Sequence, residues 1–198
     1  MHCLVVLAHP LADSLCAALA RTAVVALERG GHTVELVDLY REEFAPALST
    51  AERASYYDGP YAGGGVEHDI ARLQSADAIV LVFPTWWFSL PAMLKGWFDR
   101  VWAPGVAYDH ADDLGPIRAR LGRLRHALAI TTLGSPWWVD RLVMRRPVRA
   151  VLKTALLGTC APQCRFEMQS FYRCERLDAQ QVQALCARVD TRLARWGT

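Results

Sequence analysis

The chain has 198 residues, 53% of them hydrophobic, with 22 basic and 20 acidic side chains and a formal net charge of +2. That is enough apolar material for one well-buried domain spanning 1–198, and no Pro/Ser-rich linker or charge block divides it. So small a charge gives no electrostatic reason to expect nucleic acid or an anionic membrane surface as partner.

No apolar run approaches a membrane span, and Met1 leads straight into strand-like CLVVLA without a basic flank or cleavage site. The expectation is a cytoplasmic protein with no membrane insertion. Six cysteines are scattered along the chain. The one close pair, Cys160 and Cys164, has neither zinc nor thioredoxin spacing, so incidental thiols and no metal are expected.

In chain order, His2 to Ala8 is a continuous apolar run, as in a parallel strand covered on both faces. Ser14 suits the cap of a helix in which Leu15, Leu19, Ala23 and Leu27 recur every four residues, with Gly30-Gly31 as the stop. Thr33 to Asp38 reads as a second strand. From Tyr40 to Glu67 the pattern loosens into a surface excursion, with a capping box at Ser49 and Glu52 and a flexible break at Gly63-Gly64-Gly65. A helix over Asp69 to Ser75 then feeds the stretch AIVLVFPTWWFSLPAMLKGWFDRVW, Ala78 to Trp102. This reads as strand, loop and helix. Pro91 suits the first helical turn, and Leu94, Trp97, Phe98 and Val101 form a buried face. Leu128 to Thr132 and Phe166 to Tyr172 supply a fourth and a fifth strand. The closing helix carries a box of Asp178 and Gln181 and an apolar face of Val182, Leu185, Val189, Leu193 and Trp196.

Five strands alternating with helices imply a doubly wound α/β sheet, of the dinucleotide or the flavodoxin-like kind. No GxGxxG follows the first strand and no P-loop motif occurs. Instead the first strand is followed by His9-Pro10-Leu11-Ala12-Asp13-Ser14-Leu15, where a hydroxyl at a helix start can bind phosphate or serve as an ordinary cap. The loop with Trp86, Trp87 and Phe88 leaves the carboxyl end of a strand, where ligands of open parallel sheets sit, and suits a flat ligand.

Four motifs together, LAHPLADSL, FPTWWFSLPAMLKGWFDRVW, AYDH and ITTLGS, resemble the NAD(P)H:quinone oxidoreductase family of flavodoxin-like flavoproteins. The resemblance spans most of the chain. It implies a five-stranded parallel sheet of order 2-1-3-4-5 with helices on both faces, and an enzyme that takes hydride from NAD(P)H through FMN or FAD. It further implies two-electron, ping-pong transfer to a quinone or similar small-molecule acceptor, in a homodimer with the active site at the interface.

Carried over residue by residue, the resemblance places His9, Ser14 and Leu15 at the flavin phosphate, with Cys16 where relatives often have Asn. Pro84, Thr85, Trp86, Trp87 and Phe88 would follow the ring system, and Thr131, Thr132, Leu133 and Gly134 would close its other side. Tyr108 and His110 fall at the acceptor, as catalytic candidates, and Trp137 and Trp138 are candidate pocket walls or dimer surface. No Tyr or His follows Gly134 until Tyr172, although larger relatives use such a pair in hydride transfer. No arginine in Phe171 to Gln181 aligns with the late adenosine contact, which favours FMN over FAD. A flavodoxin-type electron carrier and an ancillary subunit of a potassium efflux system are the alternatives. The near-neutral charge weighs against the carrier.

Overall fold

The computed structural model describes residues 1–57, 59–111 and 115–197. Five parallel strands form one sheet: β1 (His2–Leu7), β2 (Thr33–Asp38), β3 (Ala78–Pro84), β6 (His126–Thr132) and β7 (Arg165–Phe171). Their spatial order is β2-β1-β3-β6-β7, which is the order 2-1-3-4-5 expected from the sequence. β1, β3 and β6 occupy the middle, and their side chains are buried almost throughout because helices cover both faces.

Leucines and alanines of α1 (Leu15–Arg29) and Val189 and Leu193 of α7 (Ala179–Leu193) pack on one face with Val5, Val80 and Ile130. On the other face α3 (Glu67–Ser75) and α4 (Ala92–Val101) bury Leu73, Leu94, Trp97, Phe98 and Val101 against Leu4, Ile79 and Phe83. The predicted apolar face of α4 is therefore the buried one.

The excursion after β2 lies on the surface as expected, and its short helix α2 (Thr50–Ala54) carries the expected capping box, but the segment is also fastened to the body of the protein. Glu52 is 2% exposed and accepts from Arg100 of α4 at 2.7 Å. The Tyr56 and Tyr61 hydroxyls donate to the free carbonyls of Asp99 and Arg100 at the end of α4, at 2.6 and 2.8 Å.

Two features lack a period that identifies them in sequence. A small antiparallel ribbon pairs β4 (Tyr108–Asp109) with β5 (Arg118–Ala119). Between β6 and β7 the chain runs through a π-helical turn at Val139–Val143, α5 (Pro147–Ala150), a π-helical segment at Val151–Leu157 and α6 (Gly158–Cys160).

Candidate active site

Ser14 ends the loop after β1 in extended backbone, and its hydroxyl accepts the Ala17 N–H at 3.2 Å. The first turn of α1 holds no acidic residue, and among the described residues the N–H groups of Leu15 and Cys16 have no protein acceptor. The positive end of a 15-residue helix thus presents two open donors at the carboxyl edge of the sheet.

β3 delivers the second wall. After Pro84 the chain reverses sharply, the Ser89 N–H donating to the Trp86 carbonyl at 2.9 Å with Trp87 and Phe88 at φ 52° and 55°. Two consecutive left-handed residues define a turn that normally takes Asn and Gly, so a Trp-Phe pair there is held under strain. β6 supplies the third wall. Thr131 is buried, its hydroxyl 2.5 Å from that of Thr85, while the Thr85 N–H reaches the Thr132 carbonyl at 2.9 Å. The Thr132 hydroxyl lies 3.4 Å from the Cys16 sulfur and ties α1 to β6.

These walls enclose a cavity of about 340 Å³. Of the expected residues it brings together His9, Ser14, Leu15 and Cys16 from the first loop, Pro84, Thr85 and Trp86 from the second, and Thr132, Leu133 and Gly134 from the third. Thr131 lies beneath, as the support of Thr85. Trp87 stands 98% exposed, and neither it nor half-buried Phe88 lines the cavity.

Three lining residues went unread in the sequence: Leu11, Cys174 and Glu175. Cys174 and Glu175 sit in the loop leaving β7, so the rule that ligands gather at strand ends pointed to them. Glu175 lies over Gly134, where an added Cβ would come 2.4 Å from its Oε1.

Among the described residues no Lys or Arg lines the cavity, so its field comes from the α1 terminus and the Glu175 carboxylate. His9 receives the Leu11 N–H on Nδ1 at 3.1 Å, and burial lowers its pKa, so the ring is neutral with its proton on Nε2. Burial pushes the Cys16 thiol up to about 11, partly opposed by the Thr132 hydroxyl, and raises Cys174 as well.

The four candidates on the acceptor side do not join this cavity. Tyr108 is half-buried in the ribbon, and His110 stacks on Tyr57 with ring centres 4.7 Å apart while meeting Tyr108 edge-on at 5.3 Å. Among the described residues its buried Nε2 has no partner. Trp137 and Trp138 are 53% and 47% exposed, and Trp137 lines a separate cleft with Tyr172 and Leu177. A single chain therefore joins the open α1 terminus to the ends of β3 and β6, and leaves Tyr108, His110, Trp137 and Trp138 outside that cavity.

The model of a family described as having a flavodoxin-like fold matches residues 1–193. The chain belongs to that family. NAD(P)H dehydrogenase (quinone) 1 of Rattus norvegicus is 37% identical over 150 residues, covering 67% of this chain and 53% of the relative. The ribosyldihydronicotinamide dehydrogenase-like protein traD of Penicillium crustosum is 37% identical over 155 residues, covering 68% and 58%. The chain thus spans little more than half the length of these curated relatives. A solved NAD(P)H:quinone oxidoreductase from Methanothermobacter marburgensis superposes with a TM-score of 0.85 at 27% identity, covering 100% of this chain and 98% of that one. The kinship with quinone oxidoreductases expected from the motifs is thereby shown. Within the flavodoxin-like fold family, a ligand cavity at the ends of β1, β3 and β6 is where an open parallel sheet places it.

Proposed function

We propose that the protein is a flavin-dependent NAD(P)H oxidoreductase that passes two electrons to a quinone or similar small acceptor, with FMN as cofactor. The observation that carries this reading is the convergence of the open α1 terminus with the ends of β3 and β6 on one cavity. The residues present suit the group: a terminal phosphate meets the Leu15 and Cys16 N–H groups, with His9 offering Nε2–H beside it. Pro84, Thr85 and Trp86 offer apolar surface and backbone polar groups on one side, and Thr132, Leu133 and Gly134 do so on the other. A bound flavin would supply the hydride chemistry, which none of these side chains performs. What the chain contributes is orientation, exclusion of water and fixed donors.

The cavity is shallow for a whole flavin. The exposed Trp87, and the aromatic patches of Tyr108 with His110 and Trp137 with Trp138, suit a homodimer in which a second copy completes the pocket. One pocket then serves NAD(P)H and acceptor in turn, which is ping-pong transfer. The names of these relatives support the NAD(P)H and quinone parts of this reading.

The test is an absorption spectrum of the purified protein with FMN, before and after anaerobic NADPH. Bound flavin absorbance that bleaches with NADPH and returns on adding a quinone is expected. A colourless protein that fails to take up FMN or FAD overturns the reading. A flavin that binds but is not reduced by NADPH points instead to an electron carrier.

A further inference from the structure

A second cleft opens at the free edge of the sheet, between β7 and α7, and the cavity described above does not share it. One half, about 450 Å³, is basic: Arg141, Arg188, Arg192 and Arg195 line it together with Gln169 and Ser170. The other half, about 530 Å³, is aromatic and apolar, with Trp137, Phe171, Tyr172 and Leu185. Arg141, Ser170 and Arg188 border both halves.

The unmet groups here are specific. Gln169 is only 8% exposed, yet among the described residues its Oε1 has no hydrogen-bond partner, and neither has the buried Ser170 Oγ at the junction of the halves. A buried amide left unpaired costs free energy of the order of 1–3 kcal/mol, so such groups ask for a ligand. Arg192 is engaged by Glu167, and the Asp140 carboxylate is taken by the Tyr172 hydroxyl at 2.8 Å. Among the described residues no carboxylate forms an ion pair with Arg141 or Arg188. Both instead lie against rings, 5.9 Å from the centre of Tyr172 and 5.0 Å from that of Phe171. Guanidinium groups held this way keep their forked donors for an anion.

We propose that this cleft is a binding site for a nucleoside phosphate. The phosphate lies between Arg141 and Arg188, where two forked cations meet an oxygen-rich dianion. A sugar hydroxyl reaches Gln169 Oε1, which lines the basic half and needs a partner that donates. The base stacks against the half-exposed ring of Trp137. A simple anion leaves Gln169 and the aromatic half unused, and an uncharged ring leaves the arginines unused.

The test is calorimetric titration of the full chain, saturated with FMN, by AMP, adenosine and inorganic phosphate. It is repeated without FMN, so that failure of the flavin reading leaves it intact. AMP is expected to bind at least about tenfold more tightly than either fragment, and Arg188→Ala to weaken it by about tenfold or more without releasing FMN. Gln169→Leu supplies a second arm. It should weaken AMP yet raise Tm, because it removes an unpaired amide from the folded state. AMP that binds no better than phosphate shows a mere anion patch and overturns the proposal. So does AMP that displaces FMN, or an affinity unmoved by both variants.

Discussion

The Nε–H of Arg100 donates to Oε1 of Glu52 at 2.7 Å, with side chains 9% and 2% exposed. Arg100 also donates to the carbonyls of Ala45 at 2.6 Å and Gly64 at 3.1 Å, and the other Glu52 oxygen accepts the Ser49 N–H at 2.7 Å. One guanidinium thus pins the start, middle and end of the excursion to α4. Removing one partner leaves the other as an unpaired buried charge. Glu52→Gln is expected to destabilise the protein by about 3–5 kcal/mol at pH 7, measured by denaturant unfolding. A loss below about 1 kcal/mol would mean that the pair behaves as a surface ion pair.

The same pair predicts a pH dependence. Burial favours the protonated form of Glu52, but hydrogen bonds from Ser49 and Arg100 outweigh it and hold the carboxyl below its ordinary 4.5. A folded pKa below the unfolded one gives stability that is complete above the unfolded value and is lost as pH falls through the folded one. Unfolding free energy should therefore drop from about pH 5 downward more steeply in the parent than in Glu52→Gln. Parallel curves for the two proteins would show that another carboxylate governs acid unfolding.

Gly96 sits inside α4, where Ala is ordinarily the better helix former by about 1 kcal/mol. Here a Cβ would lie 2.1 Å from the Pro46 carbonyl oxygen and 2.6 Å from its Cα, both backbone atoms. Gly96→Ala is expected to lower stability by about 1–3 kcal/mol, since the loop must move for the methyl to fit. The sign decides the matter: a higher Tm in a thermal scan would show that the loop does not hold that close approach.

Trp87 joins near-complete exposure to a left-handed backbone, a combination that folding alone does not favour. Trp87→Asn should stabilise the apoprotein by about 1 kcal/mol by relieving the strain, and should weaken FMN retention if the indole covers the ring of a bound flavin. Thermal scans paired with FMN titrations check both halves. Unchanged FMN affinity would leave position 87 without a ligand role.

The framework was legible because it obeys simple periods. Unbroken apolar runs marked β1 and β3, and four-residue spacing marked α1 and the buried face of α4. The helix start at Ser14 and the loop after β3 pointed to two walls of the cavity, whereas most of its individual residues came from the family resemblance. What stayed hidden depends on distance in sequence. Arg100 and Glu52 lie 48 residues apart, and neither type announces burial. Glu175 enters the cavity only because Gly134, on another strand end, leaves it room. The helical run between β6 and β7 escaped because π-helical turns do not repeat at 3.6 residues, so its apolar residues show no familiar stripe. Tyr108 and His110 were expected at the acceptor side of the pocket; they meet edge-on, but His110 stacks on Tyr57 and neither lines the cavity, a placement that no spacing conveys.

Cys16 forms part of the cavity wall. Quinones add readily to thiolates, so a nucleophilic sulfur beside a quinone-reducing centre would invite self-arylation. With its pKa pushed to about 11, this sulfur is ionised in only about one molecule in ten thousand at neutral pH. If the cavity receives a quinone, as proposed, burial that looks like ordinary packing would also act as chemical armour, letting a cysteine border a pocket for electrophiles.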